Sequence, residues 1–326
     1  STTPVVTPPP PAPTPTAAYA VPAQEALTVS DVQQIISQSV AEAQARNRPA
    51  TIAVVDRVGN LLALFSMNNA DRTLRIPGVS GPLGGTLPGL SLGSPAALPG
   101  AVSKAMTAAY LSSGGNAFST RTASQIVQQH FPPGPSTNGL ESGPLFGVQF
   151  SSLPCSDLVT RFDPLGGPSA MVGPKRTPLG LSADPGGLAL YKNGVLVGGV
   201  GVMADGVYGF DPNTIDVDAD DEEYIALAGT RNFEAPAGIR ADRISVDGTQ
   251  LRYSDATPDK FRATGAAPSF SSINGTVGAL SPLTGYSAGA IIAGMAYGTE
   301  ASGMRAATAS EFSNRDAFVL TDGSGN

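Results

Sequence analysis

Few side chains in this sequence carry ligating or nucleophilic chemistry, and they are scattered. There is one histidine, His130, and one cysteine, Cys155. A lone histidine excludes multi-histidine metal centres and paired-histidine iron ligation within one protomer. A lone cysteine excludes an internal disulfide, a cysteine-rich zinc site and a CxxCH attachment. His130 lies four residues after Ile126, so on a helix the two share a face and the imidazole turns inward. Neutral imidazole is a common axial ligand to haem iron. The alternative is a histidine at a helix C-terminus, facing the last carbonyls and the helix dipole. Cys155 follows Pro154 in a loop, and the two residues meet only if the fold brings them together.

Other residues offer chemistry by type. Asp211, Asn213, Asp216, Asp218, Asp220 and Asp221 form an oxygen-rich run of the kind hard cations favour, which opens a calcium reading. The run lacks the glycine and the closing glutamate of an EF-hand loop, and acidic residues are equally expected at the N-terminus of the helix that follows. Tyr110 and Met106 are haem ligands in type, with core filling as the alternative. Arg121 suits a carboxylate, as arginines beside ligand clefts do, with surface placement as the alternative. The chain has no P-loop and no GxGxxG turn.

The elements that position these residues follow from composition and periodicity. The chain has 326 residues, 41% hydrophobic and only 14% charged, with 39 Gly and 29 Pro. That length builds a substantial core, with much loop and turn around it. A net charge of −7 argues against a nucleic-acid partner. No apolar run approaches the ~20 residues of a membrane span. Residues 1–24 are a Pro/Thr/Ala-rich tether. A tether of this kind suggests an exported protein, periplasmic or extracellular, with a lipid anchor upstream as one form of that expectation. The competing reading is a cytosolic protein cut at this point.

Thr28, with Asp31 three residues on, predicts a helix start, and Val32, Ile35, Ile36, Val40 and Ala43 then recur at helical spacing. TIAVVD and LLALFS, joined by a tight turn at residues 57–60, read as a hairpin. Residues 69–98 form a Gly/Pro-rich insertion. Helices are predicted over Pro99–Ser112 and Thr122–His130, the second stopped by Phe131-Pro132-Pro133. Residues 131–184 form a second insertion, in which Phe146, Phe150 and Phe162 suggest packing against the body.

Leu188–Tyr191 and Val195–Met203 then form a hairpin around Asn193-Gly194, the dipeptide of a type I′ turn. Both runs are apolar throughout, which predicts a central place in a sheet covered by helices. Gly198, Gly199 and Gly201 leave room for another backbone or a flat ligand. A short helix follows the acidic run. Residues 232–326 are a C-terminal extension. In it RISVDGTQLRYSD reads as a hairpin turning at Asp247-Gly248, and Tyr286–Tyr297 as a strand, with a helix as the alternative. AFVLTDGSGN echoes TIAVVDRVGN and opens the reading that a second, related module starts there.

Five segments in order, LTVSDVQQIISQSVAEAQ, TIAVVDRVGNLLALFSMNNA, AVSKAMTAAYLSS, GGLALYKNGVLVGGVGV and DDEEYIALAG, together resemble the GlcG/HbpS-like haem-binding family. The resemblance implies an α+β fold over residues 25–231, an antiparallel sheet flanked by helices, with both hairpins in one layer and long irregular insertions. It also implies haem as cofactor and assembly into homo-oligomers. Lys104 sits where the family carries a lysine, which implies contact with a haem propionate or another anion. The alternatives for Lys104 are a snorkelling side chain or a buried ion pair with Asp56. Two further readings stay open: a scaffold subunit contacting a cell-envelope protein through the insertions, and a small-molecule enzyme of unspecified reaction.

Overall fold

The computed structural model describes residues 23–80, 86–87, 89–140, 173–287, 289–312 and 317–321. Nearly all of the tether, together with Phe146, Phe150, Cys155 and Phe162, lies outside the described residues.

Helix α1 (Val29–Ala45) begins where Thr28 and Asp31 form a reciprocal capping box. The Thr28 hydroxyl accepts from the Asp31 N–H at 3.1 Å, and the Asp31 carboxylate accepts from the Thr28 N–H at 2.8 Å. Val32, Ile35, Ile36 and Val40 are fully buried along one stripe. Each such aliphatic side chain contributes about 1.5–3 kcal/mol on leaving water. The helix ends before Asn47, which takes φ +54°.

Strands β1 (Thr51–Asp56) and β2 (Leu61–Met67) form the first hairpin and are buried throughout. Strands β3 (Gly187–Lys192) and β4 (Val195–Met203) form the second. Its turn places Asn193 at φ +50° and Gly194 at φ +77°, the positive pair a type I′ turn requires. A short strand from the C-terminal region, β5 (Gly278–Leu280), completes a five-stranded antiparallel sheet of order β5-β2-β1-β4-β3. The two hairpins lie in one layer, joined through β1 and β4 from Thr51 opposite Met203 to Asp56 opposite Gly198. Of the second hairpin, β4 is central. β3 is an edge strand, met along its outer side by Ser119 and by the Phe233 carbonyl, which accepts from the Tyr191 N–H at 2.9 Å.

Strand alternation sorts the core into two layers. Ile52 and Val54 face one cluster, shared with α1 and with Ile225 and Ala226 of helix α4 (Asp221–Gly229). Ala53 and Val55 face the other, filled by helix α2 (Ala97–Leu111). The fold is therefore α+β, an antiparallel sheet flanked by helices on both faces. None of the described helices is long and apolar enough to cross a membrane.

Three elements differ from the sequence reading. The 69–98 insertion contains local order: Leu74–Ile76 pairs with Leu90–Leu92, and Val79–Ser80 with Thr86–Leu87. Among its described residues Tyr286–Tyr297 forms no strand. Its N–H groups bond to separate places, Ile292 to the Leu62 carbonyl and Gly294 to the Leu27 carbonyl, so no continuous ladder forms. Helix α3 (Thr120–Ile126) begins and ends earlier than periodicity suggests. Ser119 caps it, and past its end the Gln129 N–H donates to the Leu140 carbonyl rather than continuing the helical pattern. Elsewhere Asp247 and Gly248 turn a small hairpin, at φ +49° and +79°. Phe318–Leu320 pairs with Met304–Ala306.

Candidate functional site: two buried ion clusters beside the glycine hairpin

The second hairpin's glycines admit a helix backbone. A Cβ built on Gly199 would stand 2.2 Å from the Ala105 carbonyl oxygen, and one on Gly201 2.2 Å from that of Ala101. One on Gly187 would meet the Lys104 carbonyl at 2.5 Å. Helix α2 thus lies directly on the sheet, and the space at these glycines is taken by its main chain.

This close approach carries Lys104 inward. Its side chain is fully buried, and its ammonium donates to the carbonyls of Pro185 at 2.7 Å and Val202 at 2.9 Å. It also pairs with the carboxylates of Asp184 and Glu222. Glu222 uses its other oxygen to accept from the Ala204 and Asp205 N–H groups. Burial opposes the Lys104 charge, and the two carboxylates more than offset it, holding its pKa above the ordinary lysine value. Burial raises both carboxylates, Asp184 to about 6 and Glu222 well above the usual glutamate range, against the pull of Lys104. One cation shared by two buried acids explains why neither is drawn down. The expected partner Asp56 is elsewhere: it accepts from the N–H groups of Val58, Asn60 and Met295 and from the Asn60 side chain.

The second cluster surrounds Arg121, which is fully buried on α3 rather than at the surface. Its guanidinium reaches Glu223 at 3.1 Å, Asp211 at 3.0 Å, Asp218 at 2.8 Å and Asp255 at 3.5 Å. Glu223 also accepts from the N–H groups of Asp255 and Ala256, both at 3.0 Å. Neighbouring residues Glu222 and Glu223 of α4 thus anchor one cluster each.

The acidic run is largely consumed by these contacts. Asp211, Asp216 and Asp218 bring carboxylate oxygens within 4.8 Å of one another. However, Asp211 and Asp218 pair with Arg121, Asp216 accepts from the Asn213 side chain at 2.7 Å, and Asp220 caps α4 through the Glu223 N–H at 3.0 Å. The calcium reading gains no support from this arrangement. Counter-ion duties hold Asp211 and Asp218, a helix cap holds Asp220, and a side-chain hydrogen bond holds Asp216.

The remaining candidates are dispersed. Met106 is fully buried among Ala53, Val55, Leu61 and Leu64. Tyr110 packs beside that cluster, its hydroxyl 2.5 Å from the Lys175 carbonyl. Both fill the core. His130 is exposed, four residues beyond the last residue of α3, so the inward orientation expected for it is not realised. The helix stops before the histidine, and the shared face with Ile126 goes with it.

Sequence reasoning misses the acid partners Asp184, Glu222, Glu223 and Asp255. They come from distant segments, and the one available signal was the glutamate pair opening α4. It also misses the spacing Gly89-Leu90-Ser91-Leu92-Gly93, which is that of a nucleophile elbow. Ser91 lies in the short strand Leu90–Leu92 rather than at the strand-to-helix turn that such chemistry requires.

The fold and its two clusters define a helix-flanked antiparallel sheet closed around internal ion pairs. Residues 27–73 match the family described as haem degrading protein HbpS-like. The resemblance to the GlcG/HbpS-like family is thereby shown over the segment that builds α1 and the first hairpin. Solved structures with likeness include a PduOC:haem complex, at 17% identity and TM-score 0.38, covering 64% of this chain and 96% of that one. A Klebsiella pneumoniae DUF336 protein has 16% identity and TM-score 0.38, covering 67% and 97%. A Streptomyces reticuli HbpS double mutant has 18% identity and TM-score 0.34, covering 68% and 97%. No curated protein matches.

Proposed function

We propose that this protein is an exported, oligomeric haem- or tetrapyrrole-binding protein, periplasmic or extracellular. The observation that carries the reading is the match of residues 27–73 to the haem degrading HbpS-like family, over α1 and the hairpin whose two strands lie inside the sheet. The Pro/Thr-rich composition of residues 1–24 supports export.

The residues present fit haem unequally. His130 suits an axial ligand, because an exposed imidazole is free to approach iron. Lys104 and Arg121 do not suit propionates, since each is enclosed and already faces two or more carboxylates. The seating of α2 on Gly199 and Gly201 takes the room a flat ligand would need between sheet and helix. These points favour a ligand at the surface or at a contact between subunits. The haem iron would supply the ligand-binding and redox chemistry, and His130 would hold it.

Hemin titration of the purified protein, followed in the Soret region, tests the reading. A sharp, saturable band in the wild type that is lost in His130→Ala is expected. A broad, unsaturable change in both proteins would overturn it. Mass in solution tests the assembly: an oligomer is expected, and a monomer at working concentration would remove that part.

A further inference from the structure

We propose that a polar cleft between α1 and the loops around Arg231 and Gly265–Phe270 binds a polyhydroxylated monocarboxylate, a sugar acid in chemical class. The cleft is distinct from both ion clusters and has a volume of about 590 Å³. One wall is the polar stripe of α1, where Ser30, Gln33, Gln34 and Ser37 recur at spacings of a single helix face. Such a stripe is ordinarily solvated. Here Ser37 is only 3% exposed, and its buried hydroxyl has no hydrogen-bond partner.

Arg231 forms the opposite wall and carries the second orphan. Its Nε is buried and unpartnered, and among the described residues its guanidinium makes no ion pair. The Phe261 ring lies 5.9 Å away. Arg46, Arg121 and Arg252, by contrast, each hold a carboxylate. A buried donor left unmatched is costly, and two such donors on residues that line one cleft call for an acceptor. The planar guanidinium fork matches a carboxylate, with the Ser37 hydroxyl as an added donor.

The wall is built rather than accidental. With its amide oriented to satisfy both ends, Gln38 donates to the carbonyls of Gly229 and Arg231 at 3.1 Å and accepts from the Gln34 side chain at 3.0 Å. This ties the Arg231 backbone to α1. Gln33 and Gln34 present amides that donate and accept, the chemistry that reads hydroxyl groups. Glu234, exposed on the same cleft, disfavours a second anionic group and so selects a monocarboxylate over phosphate.

Isothermal titration of the full chain with gluconate tests this, with glucose and inorganic phosphate as comparison probes. Saturable gluconate binding is expected, with both comparison ligands at least about 10-fold weaker. Arg231→Ala should weaken gluconate by about 10-fold or more and Ser37→Ala by several-fold, while Arg243→Ala at an exposed turn leaves it unchanged. If Arg231→Ala does not fold, Arg231→Lys carries the test, because it keeps the charge and loses the fork. Absence of saturable gluconate binding overturns the proposal, as does equal affinity for glucose or phosphate, or an unaltered affinity in the arginine variant that folds.

Discussion

Lys104 and Glu222 form an ion pair inside the protein although their helices pack on opposite faces of the sheet. They meet where β3 begins and β4 ends, beside the Val202 carbonyl and Gly186. A Cβ on Gly186 would lie 3.0 Å from the Glu222 Cβ and 3.3 Å from the Lys104 ammonium, and its φ is +109°. The absent side chain leaves the passage through which the two layers are joined.

Removing one partner of this pair leaves a buried charge without its counter-ion. Lys104→Met is expected to lower stability by about 3–5 kcal/mol. In Lys104→Met/Glu222→Gln part of that loss should return, since the uncompensated acid is neutralised. Urea unfolding of the two variants measures it, and a loss below about 1 kcal/mol in the single variant would mean that the pair does not clamp the layers.

The glycines under α2 make a separate prediction. Gly199→Ala places a methyl group against the Ala105 carbonyl, and neither backbone yields cheaply. A loss of at least about 1–3 kcal/mol is expected. Gly114→Ala, where nothing lies within 4 Å, should stay within about 0.5 kcal/mol of the wild type. Equal thermal midpoints for the two variants would contradict the direct seating of helix on sheet.

Asp184 imposes a pH dependence. Its pKa rises to about 6 in the folded protein through burial, against an unfolded value of about 3.9. Between these values the folded state holds a proton that the unfolded state has released. The stability contributed by this group is thus complete below about pH 4 and lost as pH rises to about 6. Across that window the wild type should lose more stability with rising pH than Asp184→Asn does. Urea midpoints at half-unit intervals measure the difference, and parallel curves would show that Asp184 does not titrate there.

Arg121 is expected to resist even a charge-conserving change. Its fork spans Glu223 on one side and Asp211 and Asp218 on the other, and a lysine has one nitrogen to offer them. Arg121→Lys should lower stability by about 2 kcal/mol or more, and Arg121→Met by more still, because Asp211, Glu223 and Asp255 stay buried. Thermal melts at neutral pH rank the three proteins. An Arg121→Lys protein as stable as the wild type would show that charge alone, without the fork, holds the cluster.

Much of the frame is legible in the sequence. Thr28 with Asp31 marks the start of α1, and Asn193-Gly194 marks the turn between β3 and β4, because these side chains act on their own neighbouring backbone. The order of helix and hairpin segments carries the family resemblance and the antiparallel layer. His130 shows where local reasoning stops. Its spacing from Ile126 is helical, but the chain leaves the helix at Val127, drawn aside by a bond to Leu140.

Periodicity and turn chemistry, which act over a few residues, determined by themselves α1, the two long hairpins and the pairing partners within each hairpin. Only the tertiary structure decided what fills the glycine gap and which acids face Lys104 and Arg121. It also brought Asp211 and Asp218 of the acidic run to Arg121 and set Asp220 as the cap of α4. The physical reason is separation along the chain. Asp184 and Glu222 stand 80 and 118 residues from Lys104 along the chain, and Coulomb attraction in a dry interior depends on distance in space, which no local pattern records.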